Sequence, residues 1–238
     1  MKRNEDILIE YFKKLYIRYK KNDFVIDKSG VKIVELISPK IILDLKHPYL
    51  NFGVRKTPEK YVKEELNWYL SMDLSIEKIG KIASTWNLVA GKNKTVNSNY
   101  GYLIFSPENY SQYNHCLLEL LDNKHSRRAV MVYQRPEIWE DYNENEKNDF
   151  ICTDGVQCFI RKNKLIYIVK QRSCDIIYGF FNDFFWHCYV YDKLYQDLLS
   201  QYPNLKIGKI IYIPFSLHCY EKHFKLLESI CTTYKKEK

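Results

Sequence analysis

The segment from Asp149 to Asp183 constrains the fold more than any other part of this chain. Residues 155–161 and 164–171 alternate polar and apolar side chains on either side of Lys162-Asn163-Lys164. That pattern is the signature of a β-hairpin whose strands each bury one face. Folded back about Asn163, the strand leading from Cys152 runs antiparallel to the strand carrying Arg172, and the two residues become neighbours across the ladder. A guanidinium beside a thiol favours the thiolate, the reactive form of cysteine. The hairpin therefore predicts a primed nucleophile at one end of a sheet.

The remainder of the chain bounds what that nucleophile serves. Its 238 residues suffice for one large domain with a substantial core. Hydrophobic residues make up 46% and aromatics 16%, which points to a globular chain rather than a disordered one. No apolar run approaches a membrane span, and the opening Met1-Lys2-Arg3-Asn4-Glu5-Asp6 carries acids that a signal peptide avoids. Seven cysteines, without paired Cys-x-x-Cys or histidine spacing, are read as reduced thiols in a cytoplasm, with no metal. The formal charge of +8 suits an anionic partner, yet it does not separate nucleic acid from a small phosphate ester.

Helical periodicity covers residues 5–20, with Ile7, Leu8, Tyr11 and Leu15 on one face. Strand-like runs follow at 30–37 and 41–45, broken at Ser38-Pro39. Thr57-Pro58-Glu59 opens a helix over 58–71. Further expectations are a helix over 109–121, strands over 129–133 and through the hairpin, an aromatic-rich helix over 183–200, a strand over 208–213 and a terminal helix over 221–233. No Gly/Pro/Ser linker or repeat divides the chain, so 1–238 reads as a single α+β domain.

Five ordered blocks carry a family resemblance: Glu65-Leu-Asn-Trp-Tyr-Leu70, Asn97-Ser-Asn-Tyr-Gly101, Ser126-Arg-Arg-Ala-Val130, Gln171-Arg-Ser-Cys-Asp175 and Leu217-His-Cys-Tyr-Glu-Lys-His223. Their order and spacing, including the twenty-residue step from Cys152 to Arg172, resemble the thymidylate synthase superfamily. Val96-Asn-Ser-Asn-Tyr-Gly101, Arg127-Arg-Ala-Val-Met-Val-Tyr-Gln-Arg-Pro136, Asp149-Phe-Ile-Cys-Thr153 and Phe180-Phe-Asn-Asp183 look like its deoxycytidylate hydroxymethylase branch, known from T-even-type bacteriophages. The likeness runs from about Asp23 to Phe224. It implies a mixed β-sheet flanked by helices, a homodimer packed through its sheets, a nucleoside monophosphate substrate, and 5,10-methylenetetrahydrofolate as co-substrate.

The resemblance also assigns residues. Cys152 matches the thiolate that adds to C6 of the pyrimidine and makes C5 nucleophilic. Arg172 and Ser173 match phosphate contacts within one subunit, with Arg127 and Arg128 arriving from the partner. Lys28 sits where the synthases keep a phosphate-binding arginine. His218 and Tyr220 match contacts to the sugar hydroxyl, although Ser216 replaces the usual Asp of that motif. Glu65 matches the glutamate that organises water, and Tyr100 a tyrosine implicated in proton abstraction at C5. Trp86, Asp175 and Gly179 match positions near the folate, with Asp175 and Asn182 also bordering the nucleotide. The other six cysteines are read as core residues; His115, His125 and His187 lie outside any motif.

Asp183 discriminates the base. Synthases place Asn there, an amide that accepts from N3–H of uracil and donates to O4. A carboxylate lacks that donor, but accepts from the exocyclic amine of cytosine. Facing uracil it would oppose O4 at a cost of about 1–3 kcal/mol. A one-residue slip would instead offer the amide of Asn182. Asp183 thus points to dCMP hydroxymethylation. A CMP hydroxymethylase, a thymidylate synthase and a non-catalytic basic nucleic-acid-binding protein are the alternatives. The ending Thr232-Thr-Tyr-Lys-Lys-Glu-Lys238 does not resemble the synthases' closing tail, which suggests a lid loose enough to admit water.

Overall fold

The computed structural model describes residues 3–45 and 47–235. Met1-Lys2 and Lys236-Glu237-Lys238, on which the expectations about a leader and a closing tail partly rest, lie outside them. Seven strands form one sheet: β1 (Val25–Ile26), β2 (Lys32–Ile37), β3 (Ile41–Leu43), β4 (Val130–Val132), β5 (Thr153–Arg161), β6 (Lys164–Asp175) and β7 (Lys206–Tyr220). The order is β1-β2-β7-β6-β5-β4, with β3 beside a separate stretch of β7. All pairs are antiparallel except β6 and β7. The parallel pair needs a long crossover, supplied by helix α8 over Gly179–Leu199 in the structure's numbering of helices. The others are α1 (Asn4–Lys20), α2 (Glu59–Ser71), α3 (Ile79–Ile82), α4 (Thr85–Val89), α5 (Tyr100–Phe105), α6 (Gln112–Asp122), α7 (Ile138–Asp141) and α9 (Phe224–Thr233). This is the expected α+β class, a mixed sheet flanked by helices.

The hairpin closes on Lys162 and Asn163, whose φ values are +50° and +56°. Two consecutive residues with positive φ make the turn whose twist matches that of the flanking strands, and Asn tolerates that region better than most residues. Pairing then runs from Arg161↔Lys164 up to Gly155↔Lys170, where a bulge at Asp154 intervenes before Thr153↔Gln171. The extra residue restores Cys152 to a place opposite Arg172: the Arg172 amide donates to the Cys152 carbonyl at 2.8 Å.

Several elements differ from their expected bounds. β7 extends to Tyr220 rather than ending at 213, running through Pro214. Ladders to β2 on one side and β6 on the other outweigh the one donor that proline lacks. α8 starts a turn before residue 183, because the Asp175 carboxylate accepts from the amides of Ile177 and Tyr178 at 3.0 and 3.3 Å and closes the entering turn. The helix expected from 109 starts at Gln112, since Tyr110 and Ser111 adopt positive φ after a 3-10 turn at Pro107–Asn109. Residues 221–223 likewise form a 3-10 turn ahead of α9.

The sheet has two unlike faces. Leu165, Tyr167, Val169, Ile210 and Tyr212 point inward and are buried against α8, whose Phe180, Phe181 and Phe184 are fully buried. On the other face Val130, Val132 and Phe215 are exposed, with Phe159, Ile166, Ile168, Ile211 and Ile213 half-buried between them.

Gly101 sets how closely α5 lies on α2. A Cβ there would stand 1.8 Å from the Tyr69 carbonyl oxygen and 2.5 Å from its carbon. Because the obstacle is helix backbone, the helices themselves must part to admit a side chain. Gly101→Ala should cost about 2–3 kcal/mol in denaturant unfolding. Gly179→Ala, whose Cβ meets only Asp175 Cβ at 3.8 Å, should cost less than about 1 kcal/mol.

Candidate active site

The β5–β6 pairing delivers Cys152 and Arg172 to one end of the sheet. An Arg172 Nη2 lies 3.7 Å from Cys152 Sγ, and the same nitrogen donates to the Phe150 carbonyl at 2.8 Å. The guanidinium also stacks over the Phe150 ring, 4.8 Å from its centroid. It is exposed on the outer face, where a cleft of about 440 Å³ reaches it between Gln134, Trp139, Phe150, Asp154 and Phe215.

This proximity does not make a ready thiolate, which corrects one expectation. Burial pushes the Cys152 thiol up to about 11; Arg172 opposes that, while the charges of Asp183, Asp149 and Asp154 reinforce it. Part of the residue remains open to solvent, but the resting sulfur is a thiol. The other cysteines occupy the core as expected, with Cys231 half-buried.

Asp183, one turn into α8, faces the inner side of β6. Gln171 Nε2 donates to its Oδ2 at 2.7 Å and lies 3.4 Å from Thr153 Oγ1. Thr153 in turn donates to the Tyr100 hydroxyl at 3.1 Å. Tyr100 opens α5, stacked on Tyr69 with centroids 5.2 Å apart. Glu65, on α2, is buried and accepts a short hydrogen bond from Tyr61. Burial raises Asp183 to about 7 and Glu65 to about 8, the latter with a further contribution from Asp183. Tyr100 is held far above its ordinary range by burial, then by Asp183 and Cys152, so the phenol stays protonated. Two carboxyls poised near neutrality, a neutral phenol and a thiol, each within electrostatic reach of Asp183, form a set suited to covalent addition with proton transfer.

His218 and Tyr220 come from the far part of β7, their rings 4.9 Å apart. His218 pairs with Asp175 on β6 and with Glu35 on β2. Burial holds it neutral against the pull of Asp175. The Asp27–Gly30 turn that displays exposed Lys28 is closed by Asp27 Oδ1, which accepts from Ser29 and Val31. Ser173 is half-buried opposite Ser216. Trp86 stands beside Tyr61, while Asp175 and Gly179 form the turn into α8. Asn182 is half-buried with its Oδ1 unpartnered.

Arg127 and Arg128 are exposed, and they stand at the opposite end of the hairpin. Val130 pairs with Gln157 and the Arg127 carbonyl accepts from Gln157, so Arg128 falls level with residue 159. Seven residues of strand separate that level from Cys152, about 23 Å. Arg128 is paired with Glu119 of its own chain at 3.0 Å.

Four participants escaped the sequence. Tyr61 and Gln171 carried local signals, Tyr61 by sitting four residues before Glu65 and Gln171 by lying inside a motif on an inward position. Asp149 accepts from the amides of Asn97 and Ser98 and from the Ser98 hydroxyl, tying the Cys152 strand to the Tyr100 helix across 51 and 52 residues of chain. Glu35 accepts from the Ser216 hydroxyl at 2.6 Å, so the carboxylate missing from position 216 arrives from β2. Asp149 lay inside a motif, but its pairing with Asn97 and Ser98 was not signalled, and Glu35 had no sequence signal.

Glu65 ionises at its ordinary 4.5 in an unfolded chain but only around 8 in the fold. Across that window the folded state holds more protons, so its stability falls as pH rises. The loss attributable to Glu65 is about 1.4 kcal/mol per pH unit. Glu65→Gln should therefore show a flatter decline of the unfolding midpoint between pH 4.5 and 8 than the parent protein.

A family profile described as thymidylate synthase matches residues 12–238. The deoxycytidylate 5-hydroxymethyltransferases of Enterobacteria phages T6 and T4 are each 42% identical over 217 residues, covering 90% of this chain and 86% of theirs. The thymidylate synthase of Fusobacterium nucleatum subsp. nucleatum is 26% identical over 182 residues, 74% of this chain and 62% of that one. Enzymes of this family act on a nucleoside monophosphate with methylenetetrahydrofolate as co-substrate. Among the described residues, none group to hold a metal ion and no helix is long and apolar enough to cross a membrane. The extent of both likenesses establishes that the chain belongs to the thymidylate synthase family.

Proposed function

We propose that this protein is a deoxycytidylate 5-hydroxymethyltransferase acting in the cytoplasm of a bacterial or phage-infected cell, with 1–238 as one catalytic domain. The reading rests on Asp183: an acid, where a uracil-binding site needs an amide, held by Gln171 within electrostatic reach of Cys152 and Glu65. The phage relatives carry that activity in their name.

Asp183 with a pKa near 7 suits cytosine on both counts. Protonated, it donates to N3; ionised, it accepts from the exocyclic amine. As the Cys152 sulfur bonds to C6, the electron pair of the C5–C6 double bond moves toward N3, where Asp183 supplies the proton. Because the resting thiol is protonated, its proton departs as the ring is engaged. Arg172 and Ser173 hold the phosphate from one side and Lys28 from another. His218 and Tyr220 address the sugar.

Methylenetetrahydrofolate supplies a one-carbon unit at the oxidation level of formaldehyde. Trp86, half-buried beside Tyr61, offers it an aromatic surface, with Asp175 and Gly179 at the turn opposite. The Thr153–Tyr100 pair orders the groups that remove the C5 proton. Once tetrahydrofolate has left, the one-carbon unit remains as an exocyclic methylene on C5. Glu65 orients the water whose oxygen adds to that methylene carbon, and release of Cys152 from C6 restores the ring.

The active unit is a homodimer. An apolar outer sheet face calls for a cover, and a second copy offers the same surface in return. Arg127 and Arg128, too far along the hairpin to serve their own Cys152, enter the partner's cleft beside Arg172 and add cations to its phosphate site.

Tritium release from 5-tritiated dCMP in the presence of methylenetetrahydrofolate should exceed release from CMP or dUMP, with 5-hydroxymethyl-dCMP as the product by mass spectrometry. Asp183→Asn should move preference toward dUMP by about tenfold or more, given the 1–3 kcal/mol at stake in one mismatched polar contact. Unchanged preference would refute the role given to Asp183.

Subunit complementation tests the shared site. Cys152→Ala and an Arg127→Ala/Arg128→Ala double variant should each be inactive alone. Mixed under exchange they should regain a fraction of parent activity, since one site of each heterodimer has both an intact cysteine and intact partner arginines. No recovery, in a mixture shown to exchange subunits, would exclude a contribution from the partner.

A further inference from the structure

Tyr61 lies one helical turn before Glu65 on α2 and has no part in the chemistry above. Its hydroxyl donates to Glu65 Oε1 and accepts from Trp86 Nε1, the latter at 3.0 Å. A phenol has one hydrogen, so an N–H arriving from the indole leaves that hydrogen committed to the carboxylate. The indole is itself fixed edge-on against Trp68, with centroids 4.8 Å apart. Trp86, Tyr61 and Glu65 thus form a chain with one direction. Among the described residues only Oε1 of the Glu65 carboxyl carries a hydrogen bond, so Oε2 is left to meet a ligand.

We propose that Tyr61 is a positioning residue for the hydroxymethylation step: it fixes which oxygen of Glu65 faces the carbon on C5, and Trp86 links that setting to the folate side of the pocket. The inference rests on the reaction proposed above. A carboxyl tied at one oxygen cannot turn about its terminal bond, whereas an untied one would lose the water geometry that the step requires. A misplacement of about 1 Å in such a group costs on the order of 10²-fold in rate.

The environment gives an independent readout. Glu65 faces Tyr61 and Tyr69 of its own helix and Asp183 from α8, with Tyr100 of α5 stacked behind Tyr69. Burial and Asp183 raise its ionisation, and the bond from Tyr61 is the one contact that lowers it. Removing the phenol therefore moves the Glu65 titration to higher pH.

Tyr61→Phe keeps the ring and deletes the hydroxyl. In the free variant, carboxyl-carbon NMR should show Glu65 titrating at higher pH than in the parent. With substrates, kcat should fall by about 10²-fold while KM for dCMP stays within about twofold. Trp86→Phe should shift the Glu65 titration in the same direction by less. A folded Tyr61→Phe protein with an unmoved Glu65 titration, or with undiminished kcat, would overturn the proposal. An effect of Trp86→Phe on KM for methylenetetrahydrofolate alone would overturn the link through Trp86. Failure of the parent protein to convert dCMP would refute the activity instead, and the NMR titration separates the two because it needs no substrate.

Discussion

The register of β5 on β6 is the constraint from which the site follows. A two-residue turn at Lys162-Asn163 starts the ladder, and the bulge at Asp154 shifts it by one residue just before the chemistry begins. Without the bulge, side chains beyond Gly155 would exchange faces. With it, Thr153 and Gln171 point together into the core, where they meet Tyr100 and Asp183. Cys152 and Arg172 come out at the sheet's end, against the Phe150 ring. One backbone irregularity thereby divides an inward proton-handling group from an outward cationic one.

The inward group belongs to a polar seam between β6 and α8. Gln171 meets Asp183, Tyr167 meets His187 at 3.2 Å, and the Tyr191 hydroxyl donates to the Leu165 carbonyl at 2.8 Å. Burial pushes His187 down to about 3, so it stays neutral, and raises Asp183 and Glu65 toward neutrality. The same desolvation that burdens the fold places two carboxyls where they exchange protons readily at physiological pH. It also pushes the Cys152 thiol up to about 11.

Local features made much of this visible beforehand. The alternation about Asn163 predicted the hairpin and the meeting of Cys152 with Arg172, and motif order led to the family. The sequence also showed why an acid at 183 suits cytosine. Less visible were elements whose boundaries depend on partners. β7 continues past Pro214 because two neighbouring strands hold it, and α8 starts early because Asp175 caps its entry. The cysteine's ionisation was misjudged because one neighbour, Arg172, could be counted along the ladder, whereas burial and three acids could not.

Periodicity and spacing by themselves determined the α+β class, the hairpin and the meeting of Cys152 with Arg172, since these depend on residue type and on separations of a few residues, while the roles given to Cys152 and Asp183 came from the likeness to the family. Tertiary structure alone decided that Glu35 accepts from the Ser216 hydroxyl, that Asp149 ties the Cys152 strand to the Tyr100 helix, and that Arg127 and Arg128 lie a whole hairpin away from their own cysteine. Each of these depends on contacts between segments far apart in the chain, or on how much water a fold removes from a charged group, and neither quantity is written in local sequence.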